Sequence, residues 1–355
     1  MSLTCSCEGL TFEVPSGRIA TEPAEVRGSA RDDVRLMVAR RHAATLESRP
    51  FPAIVDVLAP GDLLVVNVSA TLPAALPATR ADGTPLRLHL STRLSDEVWT
   101  VELREPAGAG TLPWSHGQVG EVVGLPDGGS AQLSRPYQRA DAMAATRLWT
   151  ASLRMPEPLD QYLAEHGGAV RYGAGGRPWP MSAYQTVYAN EPGSAEMPSA
   201  GRAFTTDLLT RLLSMGVGVA PLVLHAGLSS PESHELPYPE WFRVPPSTAD
   251  RVNAARAGRG RIIATGTTVV RALETCADEQ GRVRADSGWT NLVVGPQRPA
   301  RAVDGLLTGW HEPGASHLRL LEAIAGRSML ERCYQRALAD GYLWHEFGDL
   351  LLILP

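Results

Sequence analysis

The chain of 355 residues contains no lysine; all 33 of its Lys and Arg residues are arginine. That excludes a lysine Schiff base and the phosphate-binding lysine of a P-loop. Cysteine is scarce too: Cys5, Cys7, Cys276 and Cys333 are the four, and none lies in a C-x-x-C pair. Cys5 and Cys7 are too close to bridge easily and have no His/Cys cluster beside them. Reduced structural thiols are therefore expected, with no zinc site or other metal centre. No apolar run approaches the roughly 18–20 residues that cross a bilayer. The opening MSLTCSCEGLTFEV lacks the basic flank and apolar core of a secretory signal. A cytoplasmic chain without membrane attachment is expected. No G-x-G-x-x-G, G-x-S-x-G or H-E-x-x-H occurs, and the GAGG of residues 173–176 follows no strand, so it has no nucleotide-binding weight. The net charge of −5 gives no whole-surface attraction to nucleic acid, although local arginine forks still suit phosphate and carboxylate.

What is present has the composition of a globular protein, 44% hydrophobic and 20% charged, with length for two domains or one large one. There is no internal repeat. Three zones differ. In residues 1–76 an arginine-rich segment, RDDVRLMVARRH, precedes PGDLLVVNVSATLPAAL, where Leu63 to Val66 reads as a buried strand behind the Pro60-Gly61 turn. Residues 77–153 alternate LRLHLSTRL, EVWTVELRE, GQVGEVVGL and SAQLSRPY with Gly/Pro-rich linkers, the pattern of a small antiparallel barrel or sandwich. From about 180 onward strands and helices alternate. Thr205 or Thr206 caps a helix that Gly216 stops; Ser247 with Asp250 resembles a capping box; Ser316 can cap a later helix. The expectation is an α/β layer with a mainly parallel sheet, from 1–76 and 154–355, interrupted by an antiparallel β-barrel at 77–153.

Four places can carry chemistry, each with a plainer reading beside it. In RIIATGTTVVRALET a strand ends at Gly266, and Thr267-Thr268 open a helix. Free N–H groups and the positive helix end can hold a carboxylate or phosphate there; the plain reading is a turn glycine and a cap. Arg271 and Glu274 in that helix are three apart, spaced for a surface pair. In LLTGWHEPGASHL, His311 stands at a strand end beside a Pro/Gly loop, well placed for proton transfer; a histidine bonded to backbone is equally simple. His225 ends a strand in VLHAG with the same two readings. Asp349 precedes the apolar run DLLLIL and either orients a partner or sits in a solvated turn. The long hydroxyl-rich loop AYQTVYANEPGSAEMPSAGRAFT, Ala183 to Thr205, fits neither a helix nor an ordinary strand.

Taken in order, PGDLLVVN, YQTVYANEPGSAEMPSAGRAFT, VLHAGL, GRIIATGTTVVRALE, SGWTNLVVGP, VDGLLTGWHEP and FGDLLLIL resemble the S-adenosylmethionine:tRNA ribosyltransferase-isomerases of queuosine biosynthesis. The resemblance runs from about residue 23 to the end. It implies an α/β domain interrupted by a β-barrel. It also implies a reaction that moves the ribosyl part of S-adenosylmethionine, as an epoxycyclopentane, onto 7-aminomethyl-7-deazaguanine in tRNA, with loss of adenine and methionine. S-adenosylmethionine would be a co-substrate, tRNA the partner, and the protein a monomer needing no metal. The matching positions put His311, His225, Glu240 and Asp349 forward for catalysis. They put Tyr184, Gln185, Thr186, Ser199, Gly201, Thr205, Gly266, Thr267, Thr268 and Arg271 forward for substrate binding, the small residues of the loop leaving room for a bulky polar substrate.

Several positions depart from the family pattern. Asn-Asp-Thr-Arg is Asn67-Val68-Ser69-Ala70 here, and a later arginine is Ala75. The arginine before Tyr-Gln-Thr is Ala183, and Leu-His in the loop is Arg202-Ala203. Gly-Thr-Phe is Ser229-Ser230-Pro231, Met-His is Pro237-Tyr238, and Ser-Thr is Ser316-His317. Three readings follow: the family reaction on tRNA; a divergent S-adenosylmethionine-dependent transferase with a small deazapurine-like acceptor, favoured by the missing phosphate-binding arginines; or a non-catalytic binding protein on the same fold.

Overall fold

A computed structural model describes residues 10–28, 30–137, 147–173, 177–228 and 237–355. Cys5, Cys7, residues 174–176 and Ser229-Ser230-Pro231 lie outside the described residues. Two compact units emerge: Met1–Asn67 with Ser199–Leu224 and Ser230–Pro355, and Val68–Pro198 with His225–Ser229.

The first unit begins with a short helix α1 (Ala24–Arg27) and strands β1 (Arg35–Arg40), β2 (Thr45–Pro50) and β3 (Leu63–Asn67). β3 is buried at all five positions, as its continuous Leu/Val run requires of a strand covered on both faces. Gly61 makes the turn into it at φ +92°, a conformation that favours glycine. The Asp62 carboxylate then accepts N–H bonds from Ala59 (2.8 Å) and Arg261 (3.1 Å).

The second unit holds β4 (Ser69–Thr71), β5 (Ala75–Thr79), β6 (Pro85–Arg93), β7 (Val98–Ala107), β8 (Gly110–Pro113), β9 (Val122–Gly124), β10 (Ser130–Pro136), β11 (Leu148–Arg154), helix α2 (Leu159–His166) and β12 (Glu191–Ser194). The pairings β5–β6, β6–β7, β7–β11, β11–β10, β10–β9 and β9–β5 are all antiparallel and return to their start. This is a closed six-stranded barrel, a form that leaves no ring edge open; β8 lies along β7, and β12 pairs with β4 in parallel. The unit takes in residues on both sides of the strand-rich zone 77–153.

The chain then supplies the first unit with α3 (Thr206–Ser214), β13 (Gly218–Leu224), β14 (Glu240–Val244), α4 (Pro246–Ala257), β15 (Ile262–Thr265), α5 (Thr267–Cys276), β16 (Asp286–Thr290), β17 (Gly305–Gly309), α6 (His317–Ala325), α7 (Arg327–Ala339) and β18 (Leu350–Leu354). Nine strands form one sheet in the order β16-β14-β13-β3-β15-β17-β18-β1-β2. The sheet is mixed. The run β13-β3-β15-β17 and the pair β18–β1 are parallel, while both ends and the β17–β18 junction are antiparallel. Helices α4 and α5 pack on β13 and β15, α6 on β18 and α7 on β1. Met37, Val65, Leu222, Ala264, Val270 and Leu321 belong to the single core cluster these layers close over.

Thr205 caps α3 as its sequence predicts, its hydroxyl accepting the Leu208 N–H at 3.1 Å. Two other predicted caps do not form. Helix α4 begins at Pro246, whose fixed φ suits a first turn, and Ser247 lies inside it without capping. Ser316 holds the cap position of α6 in helical backbone geometry and makes no side-chain capping bond. Cys276 and Cys333 are buried free thiols, each pushed up to about 12 by burial.

Candidate active site

The carboxyl ends of β13, β3, β15 and β17 point the same way, and ligands of α/β sheets bind outside such ends. Asn67, the last residue of β3, ties the end of β13 and the start of α5 to its own strand. Its amide donates to the Leu224 carbonyl (2.8 Å), accepts the Leu224 N–H (3.0 Å) and reaches Thr268 Oγ1 at 3.3 Å. A polar residue closing a wholly apolar strand was the signal for this role, and it stood in the sequence unassigned.

After β15 the chain turns at Gly266, φ +95°, straight into α5. No side chain caps this helix. The N–H groups of its first turn therefore remain available, and the dipole favours an anion there. Thr267 is buried, whereas Thr268 is half-buried and carries the hydroxyl bonded to Asn67. A Cβ on Gly266 would stand 3.5 Å from Ala200, so the short turn Ser199–Gly201 lies beside this helix start. The Thr205 hydroxyl, in contrast, is spent on capping α3.

Further along α5, Arg271 is directed into the protein. Its guanidinium pairs with Glu240 at the start of β14 and donates to the carbonyls of Leu292 (3.2 Å), Tyr238 (3.0 Å) and Thr290 (3.2 Å). The two side chains of the ion pair are 8% and 13% exposed. The expected surface pair with Glu274 is absent. Glu274 is buried, its carboxyl pushed up by burial, and it accepts the N–H groups of Arg301 and Ala302, each at 2.8 Å. A three-residue spacing places two side chains on one helix face, and here that face is inward.

At the end of β17, His311 is held on several sides. Nε2 lies 3.0 Å from Thr308 Oγ1, the backbone N–H donates to the Tyr334 hydroxyl (3.2 Å), and the carbonyl accepts the Trp344 indole N–H (3.2 Å). Trp310 anchors the strand end among Tyr334, Tyr342 and Trp344, at ring separations of 5.1, 5.6 and 5.5 Å. Burial, and then the neighbouring His317, hold the His311 imidazole well below its ordinary range, so it is neutral near pH 7. Neither Asp349 nor Glu240 orients it. Asp349 is buried, pairs with Arg35 (2.8 Å) and accepts the N–H of Arg35 and of Leu343, each at 2.8 Å, joining β1 to β18. Asp349 is thus a fastening of the sheet.

In the second unit Tyr184 is buried and Gln185 grips β4, accepting the Thr71 N–H (2.9 Å) and donating to its carbonyl (2.7 Å). The Thr186 hydroxyl is buried without a protein partner. His225 Nδ1 lies 2.8 Å from Ser69 Oγ, which lies 2.6 Å from Ser194 Oγ. Gly193 sits against the imidazole; a Cβ there would come within 2.4 Å of its ring atoms. The proposed site residues are thus divided between the two units, with Tyr184, Gln185, Thr186 and His225 in the second and the others in the first. Among the described residues one group, Asp127, Glu165 and His166, brings three possible metal donors together, two of them on exposed carboxylates.

The sequence profile of the family described as "Queuosine biosynthesis protein" matches residues 7–353. The chain belongs to this family. It is similar to proteins named S-adenosylmethionine:tRNA ribosyltransferase-isomerase from Moorella thermoacetica, 37% identical, and Desulfitobacterium hafniense, 34% identical. In both cases the alignment covers 98% of this chain and 99% of the relative. It is also similar to the crystal structure of S-adenosylmethionine tRNA ribosyltransferase from Thermotoga maritima, at TM-score 0.52 and 29% identity, over 97% of this chain and 99% of that one.

Within the queuosine biosynthesis family, the departures of this member acquire a physical setting. Arg202, in place of leucine, is buried, pairs with Glu25 (2.9 Å) and lies over the Phe347 ring at 4.8 Å. The new charge is compensated within the first unit. Ala203, in place of histidine, is buried, as is Ala183 in place of arginine. A buried alanine side chain has no polar atom to leave unpaired, so neither substitution strands a side-chain donor or acceptor.

Proposed function

We propose that the protein transfers and isomerises the ribosyl moiety of S-adenosylmethionine onto 7-aminomethyl-7-deazaguanine in tRNA, giving epoxyqueuosine-tRNA and releasing adenine and methionine. The observation that carries this reading is the end-to-end alignment with relatives named for that reaction. In this reading the start of α5 receives the methionine carboxylate, on free N–H groups at the positive helix end. The sulfonium acidifies the adjacent ribose carbon, and the neutral His311 imidazole accepts that proton or gives one to departing adenine. Gly266, Thr267, Thr268, Ser199 and Gly201 surround the first of these places. Tyr184, Gln185, Thr186 and His225 lie in the second unit. Arg271, Glu240 and Asp349 then serve as supports, since their hydrogen bonds are made within the protein.

A second reading, a small deazapurine-like acceptor in place of tRNA, is favoured by Ala70, Ala75 and Ala183 standing where the family pattern has arginine. Adenine release from S-adenosylmethionine tests both. Release with modified tRNA alone supports the first, release with the free base alone the second, and no release with either acceptor overturns both. Unchanged S-adenosylmethionine affinity in both Thr267→Val and Thr268→Val would show that these two hydroxyls are structural and take no part in holding the carboxylate.

A further inference from the structure

His317 opens α6 six positions after His311, and the chain between them turns at Gly314, φ +78°. The two imidazoles lie nearly parallel, at an interplanar angle of 8° and a centroid distance of 4.7 Å. The hydrogen bonds of His311 fix one ring edge and its backbone. Among the described residues His317 supplies the one aromatic contact to the face of that ring.

We propose that His317 is a positioning residue of the reaction: it lies on the face of the His311 ring, fixes its plane and opposes a charge on it, so that His311 meets the substrate as neutral imidazole. This rests on the reading of His311 as the group that handles the proton. The physical basis is twofold. A single bond at Nε2 leaves the ring able to rock about it, and a parallel ring at contact distance stops that motion. Two protonated imidazoles at this separation would repel strongly, so the pair titrates as a unit. The surroundings oppose protonation as well. The Arg271 charge on α5 acts on His317, and Tyr334 of α7 and Thr308 of β17 give His311 only neutral partners. Glu312, next in the chain, is exposed. Among the described residues no carboxylate is hydrogen-bonded to either ring. Burial is the leading cause that holds His317 down to about 4 and His311 well below its usual range.

The test uses the full chain with S-adenosylmethionine and the modified tRNA, together with histidine-ring NMR of the free protein. In H317A the His311 titration midpoint should move upward and the acid limb of kcat should follow it. At pH 7.5 kcat should fall by roughly tenfold or more, the scale of a loosened reacting group, with KM for S-adenosylmethionine changed less than about twofold. H317F restores a flat ring without a titrating nitrogen; it should recover most of that loss, and H317T should not. A His311 midpoint unmoved in H317A, or equal rates in H317T and H317F, would overturn the proposal. Turnover of H311Q at the wild-type rate would remove the proton role of His311 and the catalytic meaning of the stack. A His311 midpoint that still moves in H317A separates that outcome from failure of the pairing.

Discussion

Arg271→Met separates a structural clamp from a substrate ligand. Methionine keeps most of the apolar stem and removes the guanidinium. The Glu240 carboxylate then loses its ion-pair partner at 13% exposure, and the carbonyls of Tyr238, Thr290 and Leu292 each lose a donor. Breaking a buried pair from one side costs about 3–5 kcal/mol, most of it from the stranded charge. With a urea m-value of about 3 kcal/mol/M, that lowers the unfolding midpoint by roughly 1–1.7 M. Adding Glu240→Gln should return part of the loss, because it removes the uncompensated charge, and the double-mutant cycle measures the coupling directly. Arg271→Lys keeps the charge and forfeits the fork that reaches several carbonyls, so it should fall between the two. The assay is urea unfolding by circular dichroism, paired with calorimetric S-adenosylmethionine binding in conditions where every variant is folded. An unfolding midpoint within about 0.3 M of wild type, about 0.9 kcal/mol and at most roughly a third of the expected energy, combined with lost binding, would refute the clamp and make Arg271 a ligand.

Gln185→Leu should lower stability of the second unit by about 1–3 kcal/mol, since both Thr71 backbone groups lose their partner; thermal melting reads it, and an unchanged melting temperature would show that β4 is held by other bonds. Gly193→Ala should displace the His225 ring and break its bond to Ser69; an unaltered His225 NMR signal would mean the backbone yields instead. His89 is buried with neither ring nitrogen bonded, and burial holds it down to about 3. Between its ordinary value of 6.5 and that value the unfolded chain takes up a proton the folded chain refuses, so stability falls as pH drops through this window. His89→Leu should make the decline shallower by one proton, about 1.4 kcal/mol per pH unit, and leave stability at pH 7 equal or higher; superimposable pH curves would contradict this.

The strands and helices were legible where local chemistry is decisive. The run of β3, the leucines of α3 with Thr205 ahead of them, and the punctuated strands of the barrel all show their period in the sequence. The partners of polar residues were not. Asp349 looks like a loop residue until β1 brings Arg35 to it, and Arg271 looks like a surface residue until β14 and β16 surround it. Both depend on pairings between segments far apart in the chain, which no local pattern encodes. His317 was visible as a residue but not as a ring against His311, because the turn through Gly314 that brings the two together has no side-chain signature beyond glycine itself.

The long reach of those pairings bears on how the chain is made. Arg35 and Asp349, which join β1 to β18, are 314 residues apart, and Asn67 and Leu224 are 157 apart. At about 5–20 residues per second, synthesis leaves β1 without that neighbour for roughly 15–60 s. The barrel strands, all within Ala75–Arg154, find their partners far sooner. Nascent chains should therefore carry a finished barrel beside bare apolar strands of the other unit, which is the state that chaperones bind and that aggregates at high expression. Slower synthesis at low temperature should raise the soluble yield of this protein more than that of a chain whose sheet is built from sequence neighbours.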